Sequence, residues 1–309
     1  MDKLGIYIHI PFCKKKCKYC DFISFYKDEN IQKRYVDALL KEIENKNVDI
    51  LKSNLMRQEE NEKRKISTIY IGGGTPSFID SKYIVQILEK IKENFIIEEN
   101  TEITIEINPG TITKEKLIDY KKAGINRISI GLQSTEDRIL KLIGRIHTYE
   151  EFLKTYDMVK EVGFDNINID LILAIPTQTK KELEDSVKKV IELEPKHISL
   201  YSLILEEGTE LERLVSDGEL NLIDEKIERE MYWETKNILE KNGYNHYEIS
   251  NFSKKGYESK HNTDCWNQEE YIGYGVASHS YFNKKRFSNT DNFEQYLKNC
   301  ENNEIEKNV

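Results

Sequence analysis

Cys13, Cys17 and Cys20 lie in one short run of the chain, spaced Cys-x3-Cys-x2-Cys. Three thiols that close can turn toward one centre from a single loop. Thiolates are soft donors that select zinc, copper(I) or iron–sulfur. A structural zinc ion wants a fourth ligand at hand. Asp21 is adjacent but a poor zinc ligand beside three cysteines, and Cys265 and Cys300 are remote. Three ligands on a four-iron cluster instead leave one iron open to bind something else. Gly72-Gly73-Gly74-Thr75-Pro76 is a second signal. No Gly-Lys-Ser/Thr follows, so it is not a P-loop. Alone it reads as a tight turn, where glycine permits positive φ and close approach of backbone to a ligand. Glu106, Gln133, Arg145 and Asp170 extend the set. A carboxylate can hold hydroxyls or an ammonium, and an amide or guanidinium suits a carboxylate.

These residues need a frame, and the sequence provides one. Short β-rich runs recur at residues 5–10 (GIYIHI), 67–72 (STIYIG), 101–107 (TEITIEI), 126–132 (NRISIGL), 166–173 (NINIDLIL) and 197–205 (HISLYSLIL). Helical spacing of apolar residues fills the gaps, over 34–51, 82–97, 114–123, 150–162 and 180–193. Gly124 and Gly163 follow two of these as C-terminal stops. Alternating strand and helix predicts parallel strands with right-handed crossovers. The strands themselves alternate: Ile103, Ile105 and Ile107 interleave with Glu102, Thr104 and Glu106. Ile167, Ile169 and Leu171 interleave with Asn168 and Asp170, and Ile128, Ile130 and Leu132 with Ser129, Gly131 and Gln133. One face therefore packs on helices while the other is polar and concave. The expected fold is α/β: a partial, TIM-like (β/α)6 barrel with a polar lumen, its functional residues at the C-terminal ends of the strands. The barrel is expected over residues 1–205. Residues 206–309 read as an α+β extension, with a helix over 223–241 and then a Gly-, Tyr- and Asn-rich region. The charged stretch 57–65 reads as a solvated loop.

Composition removes other classes. The chain has 309 residues, 46 basic and 55 acidic side chains and a net charge of −9, which argues against a general nucleic-acid binder. No run approaches the ~20 apolar residues of a membrane-spanning helix, and the N-terminus has no signal-peptide pattern. Five cysteines, three of them clustered, suit a metal or cluster site in a reducing cytoplasm rather than a disulfide framework.

The cysteine spacing after a first strand, in a chain of six βα units, resembles the radical S-adenosylmethionine (SAM) superfamily. That resemblance implies a [4Fe-4S] cluster on Cys13, Cys17 and Cys20. It implies SAM chelated to the open iron, and cleavage of its sulfonium to a 5′-deoxyadenosyl radical. The glycine motif is similar to the one that docks the methionine end of SAM, here Gly73, Gly74 and Thr75. In the oxygen-independent coproporphyrinogen III oxidase family, residues at matching motif positions bind SAM. They are Tyr7 in YIHIPFC, Tyr19 before the third cysteine, Glu106 in TIEINPG, Gln133 in GLQS, Arg145, and Asp170 in NIDLILAIP. Ile204, at the expected end of the sixth strand, matches a contact to a second SAM.

Within that family the chain is similar to the HemW-like haem-chaperone branch. The oxidase has a fourth cysteine two positions after the third; here that position is Phe22, in CKYCDF. YEISNF (247–252) and His261-Asn262-x-x-Cys265-Trp266 resemble that branch's motifs, the second its HNxxYW haem-associated motif with Cys265 in place of tyrosine. His261 offers an imidazole to haem iron, Asn262 accompanies it, and Trp266 offers a porphyrin face. The resemblance implies haem as bound cargo, a haem-acceptor protein, and an electron donor such as flavodoxin or ferredoxin. It allows peripheral membrane association and a homodimer. Members of the branch continue into a further small helical domain, which is not expected here. The related alternatives are coproporphyrinogen III oxidation to protoporphyrinogen IX and radical SAM methyl transfer.

Overall fold

The structure, a computed structural model, describes residues 3–56 and 65–302. The expected solvated loop falls, except for Lys65, outside these residues. Six parallel strands form the centre: β1 (Leu4–Ile10), β2 (Lys65–Gly73), β3 (Ile96–Ile107), β4 (Arg127–Gln133), β5 (Asn166–Leu173) and β6 (His197–Ser202). Between them run α1 (Glu29–Met56), α2 (Ser81–Asn94), α3 (Lys114–Ala123), α4 (Asp137–Leu142), α5 (Tyr149–Glu161) and α6 (Lys180–Glu192). Each strand pairs in parallel with the next in sequence. The alternation divides the strands as expected. Ile105, Ile128, Ile130 and Ile169 are buried in the main apolar core. Residues of the opposite phase, Glu106, Ser129, Gly131 and Asp170, line a cavity in the lumen.

The chain continues through α7 (Glu210–Ser216), α8 (Glu225–Lys241), β7 (Asn245–His246), β8 (Asn251–Ser253) and α9 (Lys260–Trp266). β9 (Tyr271–Tyr274), β10 (His279–Phe282), β11 (Lys285–Ser288) and α10 (Phe293–Asn302) complete it. These strands extend both edges of the same sheet. β8 adds antiparallel to β6, and β9 adds parallel to β1. The strand order is β11-β10-β9-β1-β2-β3-β4-β5-β6-β8-β7, so the barrel is open and its two central edges are covered.

Several boundaries differ from the sequence reading. The second helix stops at Asn94, and Ile96 and Ile97 belong to β3, paired with Lys65 and Ile66. β-branched residues fit a pleat better than a helix end, and here a neighbouring strand is available to pair. β6 ends at Ser202, so Ile204 lies in the following loop, one residue past the bond from Leu203 N–H to the Leu173 carbonyl at the end of β5. α1 begins earlier than expected, where the Asp28 carboxylate accepts from Ile31 N–H at 3.0 Å. Gly124 does end α3, at φ 99°, its N–H bonding carbonyls of the last turn.

Candidate functional site

The cysteine loop starts where β1 ends. Cys13 N–H donates to the Phe25 carbonyl at 3.0 Å, and Phe25 N–H donates to Pro11 at 2.8 Å, which closes the loop on itself. Its outer side is tied down by Lys18 N–H to Ile143 and by Leu211 N–H to Lys18. The glycine turn after β2 packs directly on this loop. Gly74 N–H bonds Ile10 and Thr75 N–H bonds Phe12, and Cys13 Sγ lies 3.4 Å from Thr75 Oγ1. A Cβ on Gly74 would stand 2.9 Å from the Phe12 carbonyl oxygen and 3.1 Å from Cys13 Sγ, so only glycine fits. Gly73 has φ +109°, and a Cβ there would strike the His9 ring.

A cavity of about 410 Å³ opens at the C-terminal ends of the strands. It brings together Cys13, Cys17, Cys20, Tyr19, Gly73, Gly74, Thr75, Glu106, Gln133, Arg145, Asp170 and Ile204. Ile204 stands at the rim and is exposed. Tyr7 is not on the cavity wall. It lies within the lumen, its hydroxyl 3.1 Å from His9 Nδ1 and its ring stacked on Tyr70. The residues of α9 are elsewhere. His261 is buried among the first residues of the strands: its Nδ1 is 2.9 Å from Thr68 Oγ1, its ring stacks on Tyr70, and its N–H donates to the Glu102 carboxylate at 3.2 Å. Asn262 N–H bonds the Ser259 hydroxyl that caps α9. Trp266 is exposed and donates Nε1–H to Glu248.

Burial pushes the Glu106 carboxyl up to about 7, against a bond from Tyr70 O–H at 2.8 Å and with the charge of Asp170 adding to it. Burial also raises Asp170, which accepts from Asn168 and Ser129. Arg145 is partly buried, and burial opposes its charge; Tyr19 and Cys17 more than offset this. Its Nη2 donates to Asn108 and to the Gly131 carbonyl, both at 2.6 Å, and its Nη1 lies 3.6 Å from Cys17 Sγ. Burial raises the Cys13 thiol, and lifts Cys20 to about 11. A bound metal would reverse that, since thiolate ligands are deprotonated on binding.

The donor set fits a cluster with a cationic, carboxylate-bearing ligand. Among the described residues no three His, Cys, Asp or Glu side chains close on a single ion. A four-iron cluster needs no such closure, because each of its cysteines binds a different iron. Among the described residues, three buried polar atoms without partners belong to side chains on the cavity wall: Ser24 Oγ, Gln133 Oε1 and Arg145 Nε. Buried polar atoms of this kind are expected to find partners. With two carboxylates on one wall and Arg145 beside the thiols, the cavity suits a molecule bearing positive charge, hydroxyls and a carboxylate.

The sequence reading missed Asn108, which joins Arg145 to Thr75 through bonds of 2.6 and 2.9 Å. It also missed Tyr70, the partner of Glu106, and Tyr201 on the cavity wall. Strand parity could have found them. Asn108 has the phase of Glu106, and Tyr70 that of Thr68 and Gly72.

Comparison with known proteins agrees with this geometry. Residues 7–190 match the profile of the radical SAM superfamily. The haem chaperone HemW of Lactococcus lactis is 38% identical over 292 residues, covering 94% of this chain and 73% of that protein. HemW of Bacillus subtilis is 36% identical over 294 residues, covering 94% and 74%. Among solved structures, coproporphyrinogen III oxidase (HemN) from Escherichia coli superposes with a TM-score of 0.81 at 23% identity, over 99% of this chain and 71% of that one, and so shares the fold. The chain belongs to the radical SAM superfamily and, within it, to the HemW haem-chaperone family.

Proposed function

We propose that this chain binds a four-iron cluster through Cys13, Cys17 and Cys20, binds SAM in the lumen cavity, and carries haem for delivery to an acceptor protein. Membership of the family implies the cluster, SAM and haem. The assignment to residues is our reading. Bound SAM and cluster together would supply one-electron cleavage of a sulfonium. The chain's own part is to hold the ligand. Gly73, Gly74 and Thr75 offer a backbone edge, Arg145 and Gln133 offer donors and an acceptor toward a carboxylate or hydroxyls, and Glu106 and Asp170 offer negative charge toward an ammonium or ribose.

The observation that carries the carrier reading is the similarity to haem chaperones over 94% of the chain, combined with Phe22 at the position of the oxidase's fourth cysteine. Phe22 is exposed at the cavity rim. Haem is proposed to involve the 206–309 region through His261, Asn262 and Trp266. In the described fold His261 Nδ1 is bonded to Thr68 and the side chain is buried, so an iron would be met by Nε2 in the lumen or by an outward movement of α9.

Anaerobic reconstitution tests both halves. The broad absorbance of a four-iron cluster is expected in the parent protein and lost in Cys17→Ala. Haem binding without turnover of coproporphyrinogen is expected. Turnover under reducing, anaerobic conditions would sink the carrier reading. Trp266→Ala is expected to weaken haem binding several-fold while leaving cluster absorbance unchanged.

A further inference from the structure

Arg127 opens β4 and is almost wholly buried, only 2% exposed. Its phase is that of Ser129, Gly131 and Gln133, so it points into the lumen. The sheet register sets it level with Tyr7, Tyr70, Thr104 and Asn166. Glu106 pairs with Ser129 and Asp170 with Gly131, one and two inward positions nearer the cavity. Arg127 does not itself line the cavity. Among the described residues it forms no ion pair within 4.0 Å, and its Nε has no partner. A guanidinium is charged at any ordinary pH. A buried one without a contact partner is costly, and calls for an explanation.

Its charge is felt throughout the lumen. It favours the ionised forms of Glu106 and Asp170. Together with burial, it holds His197 and His261 neutral. Arg145 also acts on Asp170, but its Nη atoms are held at the thiol side of the cavity by Asn108, Gly131 and Cys17.

We propose that Arg127 is the positioning cation of the lumen: from the row below the cavity its charge favours the carboxylate forms of Glu106 and Asp170, and so helps the cavity accept a positively charged ligand. The carboxylates meet the ligand and Arg127 does not, so its own repulsion acts from farther away than their attraction. The proposal rests on the cavity being the SAM site. The other ionisable groups around Glu106 are Tyr70 from β2, Tyr7 from β1, Tyr201 from β6 and Asp170 from β5. The tyrosines are all raised by burial and stay neutral near pH 7. Arg145 adds a second fixed positive charge that faces Asp170, so the two carboxylates are the groups whose charge changes there.

The test uses the reconstituted protein, with SAM and the uncharged-sulfur analogue S-adenosylhomocysteine as probes, by calorimetry from pH 6 to 9. In the parent, the preference for SAM over the analogue is expected to rise with pH as Glu106 ionises. In Arg127→Met that rise is expected to move measurably to higher pH. Arg127→Lys, which keeps the charge, is expected to stay near the parent. An unmoved midpoint in Arg127→Met, or a Lys variant behaving like the Met variant, overturns the proposal. Infrared titration of the carboxyl bands without SAM, with Glu106→Gln to assign them, reads the same shift independently. If the parent binds no SAM while the carboxyl shift is seen, the SAM site is wrong and the role of Arg127 stands. If Arg127→Met does not fold, Arg127→Gln, which also removes the charge while keeping a polar side chain, takes its place and is expected to move the midpoint in the same direction.

Discussion

At the scale of residues, two buried ionisable groups set opposite pH dependences. The Glu106 carboxyl is raised from 4.5 to about 7, so the folded protein holds a proton that the unfolded chain has released. Its contribution to stability falls as pH rises from 4.5 to 7. His261 is lowered from 6.5 to about 4 by burial and by Arg127, so the unfolded chain takes up a proton first as pH falls. Its contribution is complete above pH 6.5 and is lost toward pH 4. Each is worth up to about 3 kcal/mol. The two partly cancel in the parent. Thermal unfolding of the cluster-free protein is expected to show a steeper gain in stability from pH 4 to 6.5 in Glu106→Gln. In His261→Gln the gain is expected to be shallower than in the parent but not abolished, because burial also holds His9, His147 and His197 below the ordinary imidazole range. An unchanged profile in both variants would refute the assignment. Gly74→Ala is the steric counterpart. Its methyl group would press on Phe12 and Cys13, and we expect loss of most reconstituted cluster with circular dichroism retained.

At the scale of elements, the barrel helices were legible because their signals are local. Thr148 with Glu151, and Thr179 with Glu182, form reciprocal capping boxes that start α5 and α6. Thr179→Ala is expected to lower stability by about 1 kcal/mol in denaturant titration, with cluster content unchanged. The errors of reading also have local causes. Phe95, Ile96 and Ile97 continue the apolar spacing of α2, yet pairing with Lys65 and Ile66 pulls Ile96 and Ile97 into β3. α9 is the element the sequence described least well. The sequence offers His261 as an imidazole for haem iron but says nothing of its depth; Ser259 and Glu102 anchor the first turn of α9 and direct His261 into the lumen.

At the scale of the whole molecule, residues from the last third of the chain complete the sheet at both ends. β9 beside β1 brings Gly275 over a buried carboxylate: Glu42 of α1 accepts from Gly275 N–H at 2.8 Å, Asn289 at 2.7 Å and Tyr296 O–H at 2.7 Å. This array fastens α10 and the β9–β11 edge to the barrel behind the cysteine loop. Glu42→Leu removes the acceptor of three buried donors, and is expected to cost several kcal/mol in chemical unfolding. Gly273 packs so closely on the His279 carbonyl that a Cβ would collide with it. Gly273→Ala is expected to loosen β9–β10 and raise hydrogen exchange in β1 and β9 together, since these strands pair. No helix among the described residues is long and apolar enough to cross a membrane.

The sequence by itself determined the cluster spacing, the glycine turn, the strand-helix alternation and the polar phase of the strands. All of these depend on residues within a few positions of one another. It also carried the family. Tertiary structure decided which polar residues share the cavity, and that Tyr7 lies off its wall. It put His261 deep in the lumen and Trp266 at the surface, and it placed Arg127 beneath Glu106 and Asp170. These depend on register between strands far apart in the chain. A parity read from one strand says that a side chain points inward; only pairing with its neighbours says at what depth.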